Sequence, residues 1–431
     1  MRHFRFHPKP TASRQAVQTR CRRSYRWWVL VSMCVALGVQ SGVRLAFSVF
    51  YVALRDEFGW SAALTASVFS LYMLVQAVCS PLTGWMLDRF GVRWLFTLSA
   101  LWVGVSLGLC SQIRTLPQFF LTYGVLLAIG QTALNTGRVS VVLARWFPEM
   151  RGRAIALADM GAALGLGLYP PLSQWLITSY GWRSAFLWLG ASAIVCVVPL
   201  SCWQREPPTV PTQRLERSPE QVKNRLQERQ TAWTVAQAMR SMSFWMLFST
   251  LLFSNLSAQV FNVHLMALLV GVGIVPMSAA AAVGMVNLVS LGGRLGIGWL
   301  TDYVGRNPAY TLALLCSMLG MAILLGISPT NASWVLVLFV AVFGLSKGSG
   351  GIIIASKAAD VFHGERLGTI FGVITMASGL GGALGPWWAG WLVDHTGSYT
   401  LALLSSLLMA AIAIVCMWLV DLRQRRDVAR A

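Results

Sequence analysis

Charged residues are scarce in this chain. Asp, Glu, Lys and Arg together make up 11% of the 431 residues, whereas hydrophobic residues make up 56% and the mean hydropathy is +0.62. Soluble domains carry about 25% charged residues, so this chain has too little polar surface for a water-soluble globule of its size. The composition therefore predicts a protein whose surrounding solvent is lipid.

The motifs of metal, redox and nucleotide chemistry are also missing. The eight cysteines form no C-x-x-C pair and no zinc spacing, and of the five histidines only His3 and His7 stand four residues apart. No G-x-x-x-x-G-K-[ST] loop is present to bind ATP, and no nucleophile–base constellation appears in the apolar runs. We therefore expect no metal, no cofactor and no enzymatic activity.

Twelve apolar runs are long enough to cross a bilayer, which takes about 20 helical residues. They predict an all-α membrane protein with two pseudo-symmetric six-helix halves, 27–203 and 242–421, separated by a polar linker, 204–241, and flanked by tails 1–26 and 422–431. Spans 1 to 12 are predicted at 27–52, 62–86, 94–112, 117–142, 153–178, 183–203, 242–270, 277–301, 309–328, 333–358, 367–393 and 398–420.

The two halves share a motif. Residues 84–93 and 298–306 both read G-W-x-x-D-x-x-G followed by arginine, so that Asp302 in the second copy is the counterpart of Asp88 in the first. Six spans return a chain to its starting side, so a duplicated six-span unit keeps its orientation. Two further landmarks recur at nearly the same offset along the chain, Pro170 with Pro386 and Gly181 with Gly397.

The basic residues lie mostly on one side of this topology. With residues at the ends of spans assigned to the nearer side, 27 of the 34 Lys and Arg fall on the side of the termini, four well inside spans and three on the opposite side, namely Arg55, Arg114 and Arg183. Because positive charge marks the cytoplasmic side, both termini are predicted to be cytoplasmic, in a bacterial inner membrane. The formal charge of +19 reflects this asymmetry, so we expect no nucleic-acid partner.

The tail 1–26 carries eight Lys and Arg and no acid. Such a tail has the charge to attract nucleic acid, but beside a membrane span attraction to anionic lipid is the simpler account. A cleaved secretory signal is disfavoured because span 1 is too long and no small-residue cleavage site follows it. An organelle presequence remains an alternative.

The repeated loop, the twelve spans and the central linker resemble the major facilitator superfamily. Finer features are similar to its monocarboxylate and oxalate/formate porter branch: E-F-G-W-S at 57–61, R-W-F at 145–147 with R-G-R at 151–153, and G-R-L at 293–295. The resemblance covers the chain after the basic tail. It implies a secondary transporter that works by alternating access.

The repeated loop is expected to form a conformational gate. Asp88 lies at the C-terminal end of span 2, where the helix dipole disfavours an acid, so we expect its partner to be another helix's N-terminus or an arginine. Gly84, one turn earlier, would let that helix approach, and the resemblance implies contact with span 11. Tyr303 in the second copy predicts a weaker latch, and the alternative is a helix end in water. The gate residues are Gly84, Asp88, Arg89, Gly91, Arg93, Gly298, Asp302, Gly305 and Arg306.

Charges inside the spans indicate the cargo. Arg44, Arg138, Arg294 and Lys347 lie in spans 1, 4, 8 and 10, and Asp159 in span 5 is the only acid among them. Each buried charge costs roughly 2.5–3.5 kcal/mol on insertion scales unless it is paired or faces water. The excess of positive charge predicts an anionic ligand, and a carboxylate fits the arginine fork.

Depth separates these charges into two groups. Arg44, Arg294 and Lys347 lie deep enough to surround a central cavity and are predicted to bind substrate, with structural pairing as the alternative. Arg138 and Asp159 both lie about 10 Å from the membrane edge on adjacent helices, which makes them a candidate ion pair.

Two further observations bear on coupling. Arg294 resembles the span-8 arginine that the porter branch uses at its substrate site, but Ser290 stands where that branch often has an acid, so proton coupling through a span-8 pair is in doubt. His264 in span 7 is a further candidate for substrate binding or proton transfer, with a structural histidine as the alternative.

These features predict a monomeric secondary transporter of a small organic anion, a mono- or dicarboxylate, driven by proton symport or anion exchange. An efflux or sugar porter of the same superfamily is the first alternative, but cationic drugs would require buried acids. A non-transporting membrane sensor is the second, and the short tails argue against it.

Overall fold

The computed structural model describes residues 12–204, 233–347, 350–362 and 367–430, with the side chains of 12–24, 295, 298, 302, 352, 367 and 421–430 left out. The described residues form helices and no strand. The helices are Ala12–Phe58, Ala62–Cys110, Leu116–Phe119, the π-helix Phe120–Leu127, Ala128–Ala133, Thr136–Trp146, Arg151–Cys202, Val235–Arg240, Met242–Gly271, Pro276–Val304, Arg306–Leu325, Ala332–Ser346, Gly350–Val361, Leu367–Thr396 and Thr400–Arg430.

These helices account for the twelve predicted spans. By length and composition, nine helical segments of the described chain are able to cross a membrane, and Ala332–Ser346 is a shorter apolar helix. Two of the nine, Ala62–Cys110 and Arg151–Cys202, have 49 and 52 residues, about twice the length that a bilayer needs. Each holds two spans, joined at Gly91 and at Gly181. The all-α, two-half architecture is thus confirmed.

The ends of the chain are more helical than expected. The first helix begins at Ala12, inside the predicted basic tail, and the last continues through Arg430, inside the predicted C-terminal tail. The linker expected at 204–241 contains a short helix at Val235–Arg240, and its residues 205–232 lie outside the described part of the chain.

The duplication extends to the backbone. Six glycines of the described chain have positive φ, and they form three pairs at the offsets of the sequence repeat: Gly59 with Gly273, Gly91 with Gly305, and Gly181 with Gly397. Gly91 and Gly305 have nearly the same dihedrals, φ 76° and ψ 172° against φ 84° and ψ 172°. Both halves therefore use the same turn at the repeated loop.

Helix packing repeats as well. In the first half, a Cβ added at Gly165 of span 5 would overlap the carbonyl oxygen of Gly38 in span 1. In the second half, a Cβ at Gly381 of span 11 would lie 2.6 Å from the carbonyl oxygen of Leu252 in span 7. Gly165 and Gly381 are related by the same offset as Pro170 and Pro386. Small residues at these sites let the two backbones touch.

The halves meet mainly along two seams, span 2 against span 11 and span 5 against span 8, and spans 1 and 7 also touch. We call the side of the molecule that carries Asp88 and Arg240 the linker side, and the side that carries Glu57 and Asp394 the far side. Towards the far side both seams are tight: a Cβ at Gly390 would lie 2.7 Å from Ala63 Cα, and one at Gly284 would overlap the Gly167 carbonyl oxygen.

Towards the linker side the first seam is open. Around the Cβ positions of Gly84 in span 2 and of Gly368 and Gly372 in span 11, no atom of the described chain lies within 4 Å. The structure therefore represents a conformation closed at the far side and parted at the linker side between spans 2 and 11.

We predict that Gly305→Ala lowers thermal stability. A backbone at φ 84° and ψ 172° is essentially restricted to glycine, and another residue there costs about 1–3 kcal/mol. The melting temperature of the detergent-purified protein, followed by tryptophan fluorescence, should fall. Gly108→Ala is the matched control, because its Cβ would meet no atom within 4 Å inside a helix. Equal melting temperatures for the two variants would refute this reading of the turn.

Candidate functional site

A central cavity of about 140 Å³ lies between the two halves. The three central cations predicted to bind substrate, Arg44, Arg294 and Lys347, all line it. The remaining lining residues are Leu45, Phe69, Leu166, Gln259, Asn262 and Asn287. The first half thus contributes the apolar lining together with Arg44, and the second half contributes polar and charged lining only.

Close backbone contacts bring these cations together. A Cβ at Gly293 would overlap the carbonyl oxygen of Leu345, so spans 8 and 10 touch beside Arg294 and Lys347. Span 10 is interrupted at that level: its first helix ends at Ser346, and the Lys347 backbone is extended, with φ −80° and ψ 135°. Interrupted helices are common at transporter binding sites.

The cations differ in how they are satisfied. Lys347 Nζ donates a 2.8 Å hydrogen bond to Asn262 Oδ1, and Asn262 Nδ2 in turn donates to Gln259 Oε1 at 2.7 Å. Arg44 has no hydrogen-bond or ion-pair partner within the described part of the chain. The ammonium is therefore held by a neutral amide only, and one guanidinium faces the cavity without a counter-ion.

Arg294 pairs with the acid Asp159. Its Nη1 donates to Asp159 Oδ2, and the two side chains are 24% and 33% exposed. The Nε of Arg294 is buried and has no hydrogen-bond partner among the described residues. Asp159 belongs to span 5 and Arg294 to span 8, so the ion pair joins the two halves.

The predicted pair Arg138–Asp159 is not formed. Arg138 Nη2 instead donates to Ser80 Oγ and Thr83 Oγ1, both at 2.7 Å, and to the Ser80 carbonyl oxygen. The prediction rested on depth and on adjacent helices, and neither fixes the face of a helix on which a side chain lies. Span 4 is also irregular: Phe120–Leu127 is π-helical, and the helix restarts after Asn135.

His264 lies away from the cavity, towards the far side. Its ring is 1% exposed, its Nε2 is 2.8 Å from the Pro386 carbonyl oxygen, and it packs between Tyr51 and Tyr399. It is not among the residues that line the cavity. The geometry is that of a histidine at the contact between the two halves, which was the alternative interpretation.

Asp88 finds its partner in its own half. Arg145, at the end of span 4, donates from Nη2 to Asp88 Oδ1 at 2.8 Å. An arginine was one of the two expected kinds of partner, whereas among the described residues the expected contact with span 11 and the close approach at Gly84 are not made. The side chains are 68% and 45% exposed, and exposed pairs contribute about 0–1 kcal/mol.

The other gate residues take separate positions. Arg89 lies over the Trp85 ring at 5.3 Å and Arg93 over the Trp94 ring at 5.8 Å. Arg306 pairs with Asp360 and donates to the Ser356 carbonyl oxygen at 2.7 Å. Gly298 and Asp302 lie outside the residues whose side chains are described.

Asp394 makes a contact between the halves that the sequence reading missed. Its carboxylate oxygens accept hydrogen bonds from the backbone N–H groups of Ala62, at 2.7 Å, and Ala63, at 2.8 Å. These are the first two residues of the helix that contains span 2. A carboxylate at a helix N-terminus satisfies free donors and faces the positive end of the dipole. The contact therefore fastens span 11 to span 2 at the far side.

A sequence signal for Asp394 existed. The offset that relates Pro170 to Pro386 makes Thr178 its counterpart in the first half, so the acid is a departure from the repeat. It lies one residue beyond the predicted end of span 11, where a loop is expected. Ser61, which caps span 2 by accepting from the Leu64 N–H, marks the helix N-terminus that Asp394 meets.

Comparison with known proteins gives a family match over most of the chain. The Major Facilitator Superfamily profile matches residues 29–386. The rat (Rattus norvegicus) protein named Monocarboxylate transporter 13 is 26% identical over 384 residues, covering 87% of this chain and 84% of that protein. The Escherichia coli (strain K12) protein named uncharacterized MFS-type transporter YhjX is 27% identical over 361 residues, covering 83% and 85%.

Solved structures share the fold. A bacterial homolog of the human lysosomal transporter Spinster, in an inward-facing and occupied conformation, aligns with a TM-score of 0.72 at 17% identity, covering 93% of this chain and 97% of that one. A D-xylose-proton symporter aligns with a TM-score of 0.71 at 15% identity, covering 91% and 97%. At these identities the likeness concerns the fold alone.

We predict that Asp394→Ala loosens the far side. The substitution removes two charge-assisted hydrogen bonds, each contributing about 1.5–3 kcal/mol in favourable cases. Spin labels on the exposed residues Leu64 and Leu401 should then show, in electron–electron double resonance, an added population at longer distance. His395→Ala is the control, since the His395 ring contacts Trp391 in its own helix. An unchanged distance distribution in Asp394→Ala would rule out a fastening role.

Proposed function

Because the chain belongs to the major facilitator superfamily, a family of multi-pass membrane transporters and not of enzymes, we propose that it carries a small organic anion through the central cavity. The anion bears one or two carboxylates. Transport proceeds by alternating access, in which the halves rock about the cavity.

The observation that carries this proposal is the charge of the cavity. Three cations line it, and Asp159 is the acid that contacts one of them. Uncompensated charge at this depth is costly, and a bound carboxylate would supply the missing counter-charge and the acceptors that arginine prefers. A neutral sugar would leave the positive charge unbalanced, and a cationic drug would add to it.

The size of the cavity supports a small cargo. Pockets for drug-sized ligands enclose about 300–1,000 Å³, and this cavity encloses about 140 Å³. A carboxylate of a few carbon atoms fits such a volume, with Leu45, Phe69 and Leu166 available for its apolar part. The name of the rat relative, a monocarboxylate transporter, supports the same class of cargo.

The proposal includes finer assignments of the orientation, the membrane, the domains, the oligomeric state and the coupling. The linker side is the cytoplasmic side, because 27 of 34 Lys and Arg fall there, and the membrane is a bacterial inner membrane. The domains are the two six-span halves with their linker, and the protein acts as a monomer. We propose proton symport or anion exchange as the mode of coupling, neither of which needs a nucleotide.

Transport should be measurable in proteoliposomes. We expect uptake or counterflow of at least one member of a panel of radiolabelled carboxylates, tested with and without a pH gradient. Stimulation by an acidic exterior assigns proton symport, and stimulation by internal carboxylate alone assigns exchange. Transport of neutral or cationic solutes with no carboxylate transported would overturn the proposal.

Arg44 provides the matched test of the cavity. Arg44→Gln removes the guanidinium that has no counter-ion in the described chain, so carboxylate affinity should fall about 10- to 100-fold, as for a charged hydrogen bond worth about 1.5–3 kcal/mol. The control is Arg114→Gln, an exposed arginine in the loop before span 4, which should bind and transport normally. Wild-type affinity in folded Arg44→Gln would remove Arg44 from the site.

A further inference from the structure

The ion pair Asp159–Arg294 is a contact between spans 5 and 8 on the linker side of the cavity. The two helices touch through backbone at Gly167 and Gly284. Asp159 lies eight residues from Gly167, and Arg294 ten residues from Gly284, both towards the linker side. At 1.5 Å per residue the pair is about 12–15 Å from that steric contact. A charge contact therefore links spans 5 and 8 where the seam between spans 2 and 11 has parted.

Arg294 takes part both in the cavity and in the contact between the halves. It lines the cavity, where an anion would meet it, and it holds the carboxylate of the opposite half. We infer that Asp159 is a built-in competitor for the anion site: before an anion binds, its carboxylate holds Arg294 and ties span 5 to span 8, and a transported carboxylate that takes Arg294 releases this tie. The inference rests on the proposed function and adds to it how an anion in the cavity alters the contact between spans 5 and 8.

Hydrogen-bond geometry favours the exchange of partners. Asp159 engages Arg294 through a single bond, from Nη1 to Oδ2, and leaves Nε buried without a hydrogen-bond partner in the described chain. A carboxylate that approaches with both oxygens satisfies two guanidinium donors. An unsatisfied buried donor is costly, so an anion that satisfies two guanidinium donors stabilises Arg294 more than the single bond from Asp159 does.

Charge around the pair also favours the exchange. Lys347 and Arg44 line the same cavity as Arg294, so an anion there gains from three cations, whereas Asp159 contacts one of them. Two carboxylates beside one guanidinium repel each other, and the one with fewer partners leaves. Asp159 is one-third exposed, so water can solvate it after release.

The test uses Asp159→Asn in the full-length protein, with radiolabelled lactate and oxalate as the probes. Without its competitor, Arg294 should bind the better of the two probes about tenfold more tightly, within the range for a charged hydrogen bond. The control is Glu57→Gln, which also removes one acid of the first half but pairs with Arg183 at the far side; its affinity should match the wild type.

A distance measurement gives a second readout. Spin labels on p-acetylphenylalanine at the exposed positions Leu157 in span 5 and Trp299 in span 8 leave the native cysteines in place. In the wild type, the better probe should lengthen the distance between the labels. In Asp159→Asn, the longer distance should be present without the probe and should not respond to it.

The outcomes separate the two proposals. If neither lactate nor oxalate binds the wild type and no carboxylate of the panel is transported, the proposed function fails. If a probe binds in an Arg294-dependent manner but with equal affinity in wild type and Asp159→Asn, only the competitor role fails. If Asp159→Asn does not fold, an unchanged wild-type distance on saturation with the bound probe overturns the inference.

Discussion

A charge inside a membrane-spanning protein must find a partner or water, and this constraint organises the centre of the molecule. Three cations face one cavity of about 140 Å³, and they differ in the partner that balances each charge. Arg294 takes the acid of the opposite half, Lys347 takes a neutral amide, and Arg44 takes no partner from the described chain. The described residues thus leave a net positive charge in the cavity, which a bound anion would compensate.

The two seams between the halves use contacts of different kinds. Towards the far side, glycines bring backbones into contact, and the carboxylate of Asp394 caps the first turn of span 2. Towards the linker side, the seam between spans 5 and 8 has a charge pair, and the exposed pair Asp88–Arg145 stays within one half. Steric contacts act only at short range, whereas a charge pair can exchange partners. For the proposed rocking motion, the far side offers a packed region to turn about, and the linker side offers charge pairs that can change partners.

Sequence alone predicted the spans, the duplication and the three cavity cations, because hydropathy and the cost of buried charge are read directly from residue type. It paired Arg138 with the wrong residue, because depth in the membrane does not fix the face of a helix, and Arg138 donates to Ser80 and Thr83 instead of to Asp159. It left out Asp394, because a residue one position beyond a span is taken for a loop. The partner of a polar side chain on a neighbouring helix depends on how the helices pack, and the sequence does not show that packing.

The repeat separates residues that both halves share from residues that occur in one half alone. The turn glycines and the packing glycine Gly165 recur in the second half, since both halves must fold and pack alike. The cavity charges do not recur: at the offset that relates the two copies of the loop motif, Arg44 corresponds to Ala258 and Arg294 to Ser80. A symmetric pair of halves is enough to alternate access, but a symmetric charge pattern would place the same group on both walls. The divergence puts the acid on one half and its arginine on the other, which is the arrangement that the proposed competition between Asp159 and a bound anion requires.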